Sequence, residues 1–405
     1  MSNTAPESTV PSASSGGDGA GLRPAGADAG ERRESISTRR VALSAPWIDD
    51  RDEELVLETL RSGQLSLGPR GPRFEELLAE AVGARYCAAV SSGTAGLHLC
   101  MRLAGIEPGD EVITSPYSFV ASANCAIYEG AKPVFADIDP LTYNLDPDAV
   151  AAAVTSRTKA IVAVDIFGYP CELDPLLALC SHYGLRLVED ACEAFGARYK
   201  GRPLGSHGHP AVFAFYPNKQ VTTGEGGAVT TNDEDEYGLL VSLRNQGRLD
   251  TRSWLMHGRL GYNYRLDDIS AALGIGQLEK LDRVLEARRA VAQRYGELLA
   301  DVDVEKPLPD DDEHERSWFV YVVKLPADVD RDGVIGRLAE HGVASAPYLP
   351  SIHLQDYMRE RYGFREGMLP VSEDCSRRTL ALPFHARLDP ADQEYVVDAL
   401  RTALQ

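Results

Sequence analysis

The sequence predicts an α/β protein in which helices cover both faces of a mostly parallel sheet, followed by a smaller α+β domain at the C-terminus. From residue 41 to about residue 285, short apolar runs alternate with longer segments of helical periodicity. Parallel strands need crossover connections, which helices usually supply. Beyond one long helical segment, the pattern continues with a single apolar strand and two further helical segments. We therefore expect a large domain over residues 41–285 and a small one over residues 286–405.

The strands of the large domain are predicted from apolar runs of a length typical of buried strands. They lie at residues 86–90, 111–114, 132–135, 160–164 and 186–189. Segments of helical periodicity predict helices at residues 95–103, 146–154 and 173–183, and one long helix over residues 266–295. In the small domain, a strand is predicted over residues 317–325 and helices over residues 331–341 and 389–404.

The first 40 residues are rich in Ser, Ala, Gly and Pro and hold few large apolar side chains. Such a segment cannot bury enough apolar surface to offset the entropy that it would lose on ordering. We expect a disordered N-terminal tail.

The composition excludes several classes of partner. The 405 residues include 41 basic and 61 acidic side chains, and the formal charge of −20 argues against nucleic acid or anionic lipid as the main partner. No apolar run approaches the roughly 18 residues of a membrane helix, and no signal peptide opens the chain. The seven cysteines lack a CxxC pair, as is typical of reduced core thiols. We expect a cytoplasmic protein.

A first candidate binding element follows the predicted strand that ends at Val90. Small residues lead from this strand into a helix, in the order Ser91, Ser92, Gly93, Thr94. The free N–H groups and the dipole of such a helix start suit a phosphate. A plain turn with a Ser or Thr cap has the same pattern, so both interpretations stay open. The segment is neither a Walker A loop nor a G-x-G-x-x-G fingerprint, which weakens nucleotide-binding alternatives.

Acidic residues lie at the carboxyl end of another predicted strand. Glu189, Asp190 and Glu193 follow the apolar residues of this strand, at the edge where open α/β sheets bind their ligands. An acid there can hold a cationic ring nitrogen, bind a metal or act as a base. A helix N-cap is the structural alternative, because Asp suits that position.

Lys219 is the most informative residue. It stands between an apolar strand at residues 213–216 and a glycine-rich turn at residues 224–227. Only seven of the 41 basic residues are lysine, so lysine is not the default surface cation of this chain. Lysine can lose its proton and form a Schiff base with a carbonyl, which arginine cannot. An exposed loop lysine remains the alternative on spacing alone.

Together and in this order, the three elements resemble the DegT/DnrJ/StrS family of sugar aminotransferases. Further stretches that match lie at residues 63–69, 116–122, 245–248 and 260–265, and the resemblance extends from residue 41 to the C-terminus. It implies the aspartate aminotransferase fold and the cofactor pyridoxal 5′-phosphate (PLP). It also implies transfer of an amino group from glutamate, or glutamine, to a nucleotide-linked keto-deoxysugar, for amino-sugar, polysaccharide or natural-product biosynthesis.

The resemblance also implies roles for individual residues. Lys219 matches the lysine that holds PLP, and Asp190 matches the acid paired with the pyridinium nitrogen. The other implied cofactor contacts are the phosphate donors Gly93, Thr94 and Ala95, the stacking ring of Phe119, Glu193 beside the phenolic oxygen, and Asn263. Because Asn263 matches a residue that reaches the phosphate of a neighbouring subunit, a homodimer with shared active sites is expected.

Two positions depart from the family pattern. Ala214 stands where many members place a serine that binds the phosphate, so one donor is missing. Glu193 stands where Gln is commoner, and a carboxylate there would disfavour the phenolate unless it is protonated or turned away.

Other residues are weaker candidates. The resemblance suggests His353 for the acceptor pocket, although a structural histidine fits equally well, and Arg248 and Arg265 could hold a carboxylate or a diphosphate. Surface salt bridges are the alternative for both arginines. His207 and His209 form an H-x-H pair with no third ligand nearby in the sequence, so we expect a solvated loop and no metal.

Three alternatives to an aminosugar-forming enzyme remain. A keto-cyclitol acceptor is compatible with every motif. A PLP-dependent sugar dehydratase of the same fold would replace the lysine with histidine, and a ligand-sensing regulator would lose the lysine or the acid. Lys219 and Asp190 argue against the last two.

Overall fold

The computed structural model describes residues 39–249 and 256–405. The tail predicted for residues 1–40 lies outside the described residues, apart from Arg39 and Arg40. The α-helices are α1 (Asp50–Ser62), α2 (Arg70–Val82), α3 (Gly93–Leu103), α4 (Ala121–Tyr128), α5 (Pro147–Ala153), α6 (Leu173–Tyr183), α7 (Glu234–Arg244), α8 (Asp268–Glu279), α9 (Leu281–Leu298), α10 (Arg331–Glu340), α11 (Asp356–Tyr362), α12 (Pro370–Arg378) and α13 (Pro390–Ala403). Short 3₁₀ turns lie at Ile166–Gly168 and Ile352–Leu354.

The strands form one large and two small sheets. They are β1 (Tyr86–Val90), β2 (Glu111–Thr114), β3 (Lys132–Phe135), β4 (Thr158–Val164), β5 (Arg186–Asp190), β6 (Arg198–Tyr199), β7 (Arg202–Pro203), β8 (Ala211–Ala214), β9 (Gly227–Thr231), β10 (His314–Glu315), β11 (Tyr321–Lys324), β12 (Ala346–Pro347) and β13 (Thr379–Leu382). The large sheet has the order β1-β9-β8-β5-β4-β2-β3, and β9 runs antiparallel to both neighbours. The other pairs are parallel, which confirms the predicted α/β class.

The large sheet is covered on both faces, and strand β5 shows how this positions the chemistry. Leu187 belongs to the apolar cluster shared with α2, α5, α6 and α8, whereas Val188 belongs to the cluster shared with α3, α4 and α7. Because side chains alternate along a strand, Glu189 and Asp190 also point to opposite faces. Asp190 therefore lies on the same face as α3.

The C-terminal residues surround a second, antiparallel sheet of β11, β13 and β12. Buried residues of α9, α10 and α13, among them Tyr295, Leu338 and Leu400, fill the cluster against this sheet, and Val41 joins them. The boundary between the two domains at residues 285 and 286 stays a prediction. Among the described residues, no helix is both long enough and apolar enough to span a bilayer.

Three sequence predictions are wrong in detail. The strand predicted at residues 213–216 is β8, at Ala211–Ala214. Residues 266–295 form two helices, because Lys280 has φ −117° and ψ 13° and its buried amine pairs with Asp52 and, at 3.0 Å, with Asp49 near the start of α1. The apolar run at residues 317–325 is a strand only from Tyr321 to Lys324. Trp318, with φ +53°, interrupts the extended backbone before it.

Candidate active site

Three segments with candidate site residues meet at one edge of the large sheet. The chain leaves β1 at Val90, β5 at Asp190 and β8 at Ala214, and these three strands run in the same direction. The first turn of α3 approaches the ends of β5 and β8 closely. A Cβ added to Gly93 would lie 2.8 Å from Cβ of Ala214 and 2.9 Å from Sγ of Cys192. Only glycine therefore fits at this start of α3.

Helix α3 begins with backbone donors that remain available to a ligand. The Ser92 hydroxyl accepts the Ala95 N–H at 3.1 Å, and the Ser92 carbonyl accepts the Gly96 N–H at 3.1 Å. The N–H groups of Gly93 and Thr94 make no hydrogen bond within the described chain. Of the three residues predicted to bind a phosphate, Gly93 and Thr94 thus offer free donors, whereas the Ala95 N–H serves the cap.

Asp190 is held by donors from two different segments. Its side chain is buried; the Ser122 hydroxyl donates to Oδ2 at 2.7 Å and the Cys192 N–H donates to Oδ1 at 3.3 Å. The Ser118 hydroxyl lies 2.8 Å from that of Ser122 and extends the network. An ionised carboxylate has about four acceptor positions, so it can still accept a cationic N–H.

Lys219 lies in the loop between β8 and β9, where its N–H donates to the Tyr216 carbonyl at 2.9 Å. Its side chain is only 13% exposed. The Nζ atom is 3.6 Å from Oε1 of Glu193 and 3.9 Å from the ring centroid of Phe319. Lys219 is therefore an enclosed amine, not the exposed loop lysine of the alternative interpretation.

The Cys192 thiol links the acid and the amine electrostatically. Burial raises the pKa of this thiol well above its usual range, the charge of Asp190 raises it further, and the charge of Lys219 lowers it. The Asp190 carboxyl and the Lys219 amine therefore both lie within electrostatic range of the Cys192 thiol.

Glu193 is turned partly away from the amine by a backbone donor. The Phe167 N–H donates to its Oε2 at 3.0 Å, while Oε1 is the oxygen near Lys219. Burial raises the pKa of Glu193, and the positive charge of Lys219 opposes this increase without cancelling it. The site therefore favours the protonated form of Glu193 more than water does. Protonation is one of the two ways in which a carboxyl group at this position is compatible with the phenolate of PLP.

Phe119 is 62% exposed at the edge of this space. Its carbonyl lies 3.2 Å from the Ser122 hydroxyl, the group that donates to Asp190. The backbone of Phe119 therefore lies near the group that holds Asp190, and its exposed ring is available for stacking.

The donor set fits the PLP implied by the sequence. The free N–H groups at the start of α3 suit its phosphate, Asp190 suits its ring nitrogen, and the enclosed Lys219 amine suits its aldehyde. Because Gly93 has no side chain, the N–H groups that would bind the phosphate lie close to Ala214 and Cys192. The hydroxyl that a serine at position 214 would add is absent.

Asn263 is exposed on a segment that is anchored on its other side. Tyr262 and Tyr264 stack on each other, and both contact the buried ring of His98. His98 is fixed by the Tyr264 hydroxyl at 3.0 Å and by Glu129 at 2.7 Å. Because neighbouring side chains of an extended segment alternate, Asn263 points outward, away from its own protomer's core.

Arg248 and Arg265 lie close enough to affect each other. Burial lowers the pKa of Arg265, and the positive charge of Arg248 lowers it further. Arg265 donates to Oδ1 of Asn245 at 2.9 Å, and neither guanidinium has a carboxylate partner among the described residues. Within the described part of the chain, the surface salt bridges considered for these two arginines are not formed, and two neighbouring cations attract an anion.

His353 is buried and is not accessible to a ligand. It is 0% exposed, its Nε2 is 3.1 Å from Oε1 of Glu373, and its ring contacts Phe135 and Phe364. This geometry favours the structural interpretation.

We expect His353→Ala to lower the free energy of unfolding by about 2 to 4 kcal/mol, because it removes a buried ring and a hydrogen bond to Glu373. The KM values for both substrates should stay near those of the wild type. Urea unfolding and steady-state kinetics would check this, with the exposed His182→Ala as control. Unchanged stability with a large rise in the KM for the acceptor would instead favour the acceptor-pocket role.

The H-x-H segment differs from the expected solvated loop. His209 is buried, and its Nε2 lies 2.7 Å from Oε2 of Glu189, the acid on the opposite face of β5 from Asp190. A buried carboxylate needs a partner, which explains the burial of the histidine. Among the described residues, no cluster of three or more His, Cys, Asp or Glu side chains could hold a metal ion.

Sequence analysis missed Ser122 and Phe319 as parts of the site. Ser122 lies three residues after Phe119, inside a stretch that matches the family, and its contact with Asp190 could have been suspected from that proximity. Phe319 lies 100 residues beyond Lys219, and no local pattern relates them.

Comparisons with known proteins agree with this geometry. A family model, the DegT/DnrJ/EryC1/StrS aminotransferase family, matches residues 46–401. The spore coat polysaccharide biosynthesis protein SpsC of Bacillus subtilis is 37% identical over 373 residues, covering 88% of this chain and 95% of that protein. GDP-perosamine synthase of Caulobacter vibrioides is 38% identical over 370 residues, covering 90% of this chain and 98% of that protein.

A solved structure, the PLP form of Spr1654 from Streptococcus pneumoniae, superposes with a TM-score of 0.85 at 27% identity. The match covers 90% of this chain and 98% of that one. The family model spans most of the chain, and the site contains an amine, an acid and a helix start with free N–H donors, a set that suits PLP. The chain therefore belongs to the DegT/DnrJ/EryC1/StrS aminotransferase family and is a PLP-dependent sugar aminotransferase.

Proposed function

We propose that this enzyme transfers an amino group from glutamate, or glutamine, to a nucleotide-linked keto-deoxysugar. The observation that carries the proposal is the enclosed Lys219 amine at the edge of the sheet where Asp190 and the start of α3 meet. Similarity to GDP-perosamine synthase, whose name specifies a GDP-linked sugar, supports a nucleotide-linked acceptor. A product used in polysaccharide biosynthesis agrees with the name of SpsC.

In this proposal, each residue has one task at the cofactor. Lys219 would hold PLP covalently, and Asp190 would bind the ring nitrogen and keep it protonated. Gly93 and Thr94 donate to the phosphate, with Ala95 able to contribute once its cap bond is exchanged. Phe119 covers one face of the ring.

When bound, PLP supplies a cationic ring that stabilises negative charge at the reacting carbon. As a free amine, Lys219 Nζ would accept the proton from the α-carbon of the amino acid and pass it to the carbon of the cofactor that carried the aldehyde. In the second half of the cycle, Lys219 Nζ would take that proton back from the cofactor and deliver it to the sugar carbon that receives the amine. Phe319 and the buried Glu193 limit the positions of this nitrogen and so keep it near both carbons.

We include a homodimer with shared active sites in the proposal. The outward side chain of Asn263 supports a contact across subunits. Arg248 and Arg265, which have no carboxylate partner among the described residues, suit an anionic group of the substrate. We also retain the division into domains at residue 285. Seven cysteines without disulfide partners support a cytoplasmic location.

A screen in the reverse direction tests the proposed acceptor. The purified protein should be yellow, and nucleotide-linked amino sugars should convert its bound cofactor to the pyridoxamine form, which absorbance would follow. Conversion by a nucleotide-linked amino sugar supports the proposal. Conversion by aminocyclitols alone would replace it with the keto-cyclitol alternative.

Replacement of Glu193 should change the pH dependence of stability. Because the pKa of Glu193 is raised above 4.5 in the folded protein, the stability contributed by its neutral form is present below pH 4.5 and is lost as the pH rises through the raised pKa. We expect Glu193→Gln to raise the thermal midpoint of the PLP-free protein by about 2 °C at pH 8. The difference should shrink towards pH 4.5.

The matched control for this prediction is Glu225→Gln, which removes the same charge from an exposed position in the loop after Lys219. Thermal unfolding at several pH values should show no comparable gain for this variant. A Glu193→Gln protein that is less stable than the wild type at pH 8 would contradict the prediction.

A further inference from the structure

Arg288 occupies a position where helix α9 otherwise buries apolar side chains. The inward face of this helix consists of Val284, Arg288, Val291, Ala292 and Tyr295. Arg288 is 3% exposed and has no carboxylate within ion-pair distance among the described residues. Burial lowers the pKa of Arg288 to about 10, so the guanidinium still carries its charge near neutral pH. A buried cation without an acid needs another source of stabilisation.

That source is a set of four backbone carbonyls from two chain segments. The Nη1 atom of Arg288 donates to the carbonyls of Trp318 and Phe319, both at 3.1 Å. The Nη2 atom donates to the carbonyl of Lys219 at 3.1 Å and to that of Asn218 at 3.4 Å. One guanidinium therefore joins the loop of Lys219 to the segment of Phe319.

The backbone of the second segment is shaped for this contact. Successive carbonyls of an extended strand point to opposite sides, so an ordinary strand could not offer two neighbours to one guanidinium. Trp318 has φ +53°, an unusual value for a bulky residue, and this local turn allows its carbonyl and that of Phe319 to face Arg288 together. The strained conformation recurs at functional sites more than elsewhere.

The two joined segments are also the ones that meet at the amine. The Phe319 ring lies 3.9 Å from Lys219 Nζ, and Arg288 binds the backbone of both residues. We propose that Arg288 is a positioning residue for the Lys219 amine: its forked donors hold the lysine loop and the Phe319 segment in a single arrangement, so that Nζ returns to the same place in each turnover. This inference rests on the proposed role of Lys219.

The forked shape of the guanidinium is central to the proposal. Each of its two terminal nitrogens serves one segment, and the plane of the group fixes the separation between them. A lysine at position 288 would keep the charge but has a single nitrogen with freely rotating donors. It cannot hold both pairs of carbonyls with the same geometry.

The test compares Arg288→Lys and Arg288→Met with the wild type, all as PLP-bound, full-length protein. The matched control is Arg289→Met, because Arg289 is the neighbouring residue of α9, is 48% exposed and pairs with Glu315 at the surface. We expect kcat to fall about 100-fold in both Arg288 variants, with the KM for the amino donor within about threefold of the wild-type value. We also expect faster amide hydrogen exchange in the segments of Lys219 and Phe319, and a weaker visible circular dichroism signal from the bound PLP.

If Arg288→Met does not fold, Arg288→Lys alone decides the test, because lysine keeps a positive charge at this buried position. Wild-type kcat, amide exchange and circular dichroism in Arg288→Lys would overturn the inference, because the fork would then be unnecessary. The same loss in Arg289→Met would also overturn it. If borohydride failed to fix PLP on Lys219 of the wild type, the proposed role of Lys219 would fail instead, and the two failures are thereby distinguished.

Discussion

Lys219→Ala should lower kcat by about 10⁴-fold, because it removes the amine that is proposed to move the proton of the amino donor. Around this amine the structure provides a carboxyl oxygen at 3.6 Å and an aromatic ring at 3.9 Å, neither of which can take over as a strong base. Steady-state kinetics would measure the loss. Borohydride reduction followed by peptide mapping should fix PLP on the peptide of Lys219 in the wild type and leave it unfixed in the variant.

Lys159→Ala is the control, because this lysine is exposed on β4 of the same sheet. Its kinetics and its reduction by borohydride should match those of the wild type. Repeated turnover of Lys219→Ala at the wild-type rate would exclude Lys219 from the proton transfer and with it the proposed mechanism.

Asp190→Asn should lower kcat by about 10³-fold, the order of loss seen when one preorganised electrostatic partner is removed from a reacting group. Asn keeps the size of the side chain and can still accept the Ser122 hydroxyl. As a neutral amide, it cannot keep the ring nitrogen of PLP protonated, so negative charge at the reacting carbon is less stabilised. Kinetics together with the absorbance spectrum of the bound cofactor would check the expectation.

Glu189→Gln provides a demanding control for this prediction, since Glu189 is the adjacent residue of β5 and is also fully buried. It points to the opposite face and contacts His209, which Gln can still do. We expect kcat to stay near the wild-type value. Equal losses in the two variants would indicate a general disturbance of the strand, and the role of Asp190 would not stand.

The sequence predicts most strands of the large sheet because they are buried on both faces, but it did not predict β9. Runs such as residues 160–164 have no polar face, and this continuous apolar character distinguishes them from the helices. The break at Lys280 could not be predicted, because it depends on the pairing of this lysine with Asp52, more than 200 residues earlier in the chain. Helical periodicity continues across the break without a proline or glycine to mark it.

The site was predictable where its residues belong to local motifs, and less so where they depend on distant contacts. Gly93, Asp190 and Lys219 follow the ends of strands and are found together at one edge. Arg288 appears in the sequence as one more charge on a helix, although the structure buries it. His209 was expected in solvent for the same reason, because its acidic partner is not adjacent in the sequence.

The stacked pair of Tyr262 and Tyr264 has a consequence for how assays should be performed. Their ring contacts with His98 fix the segment from within, so the intervening amide side chain is presented to whatever lies outside. If Asn263 contacts the site of a second copy as proposed, each copy contributes to the binding of PLP in the other. Dilution to the point where the copies separate would then release the vitamin as well, so specific activity would fall with enzyme concentration unless free PLP is added.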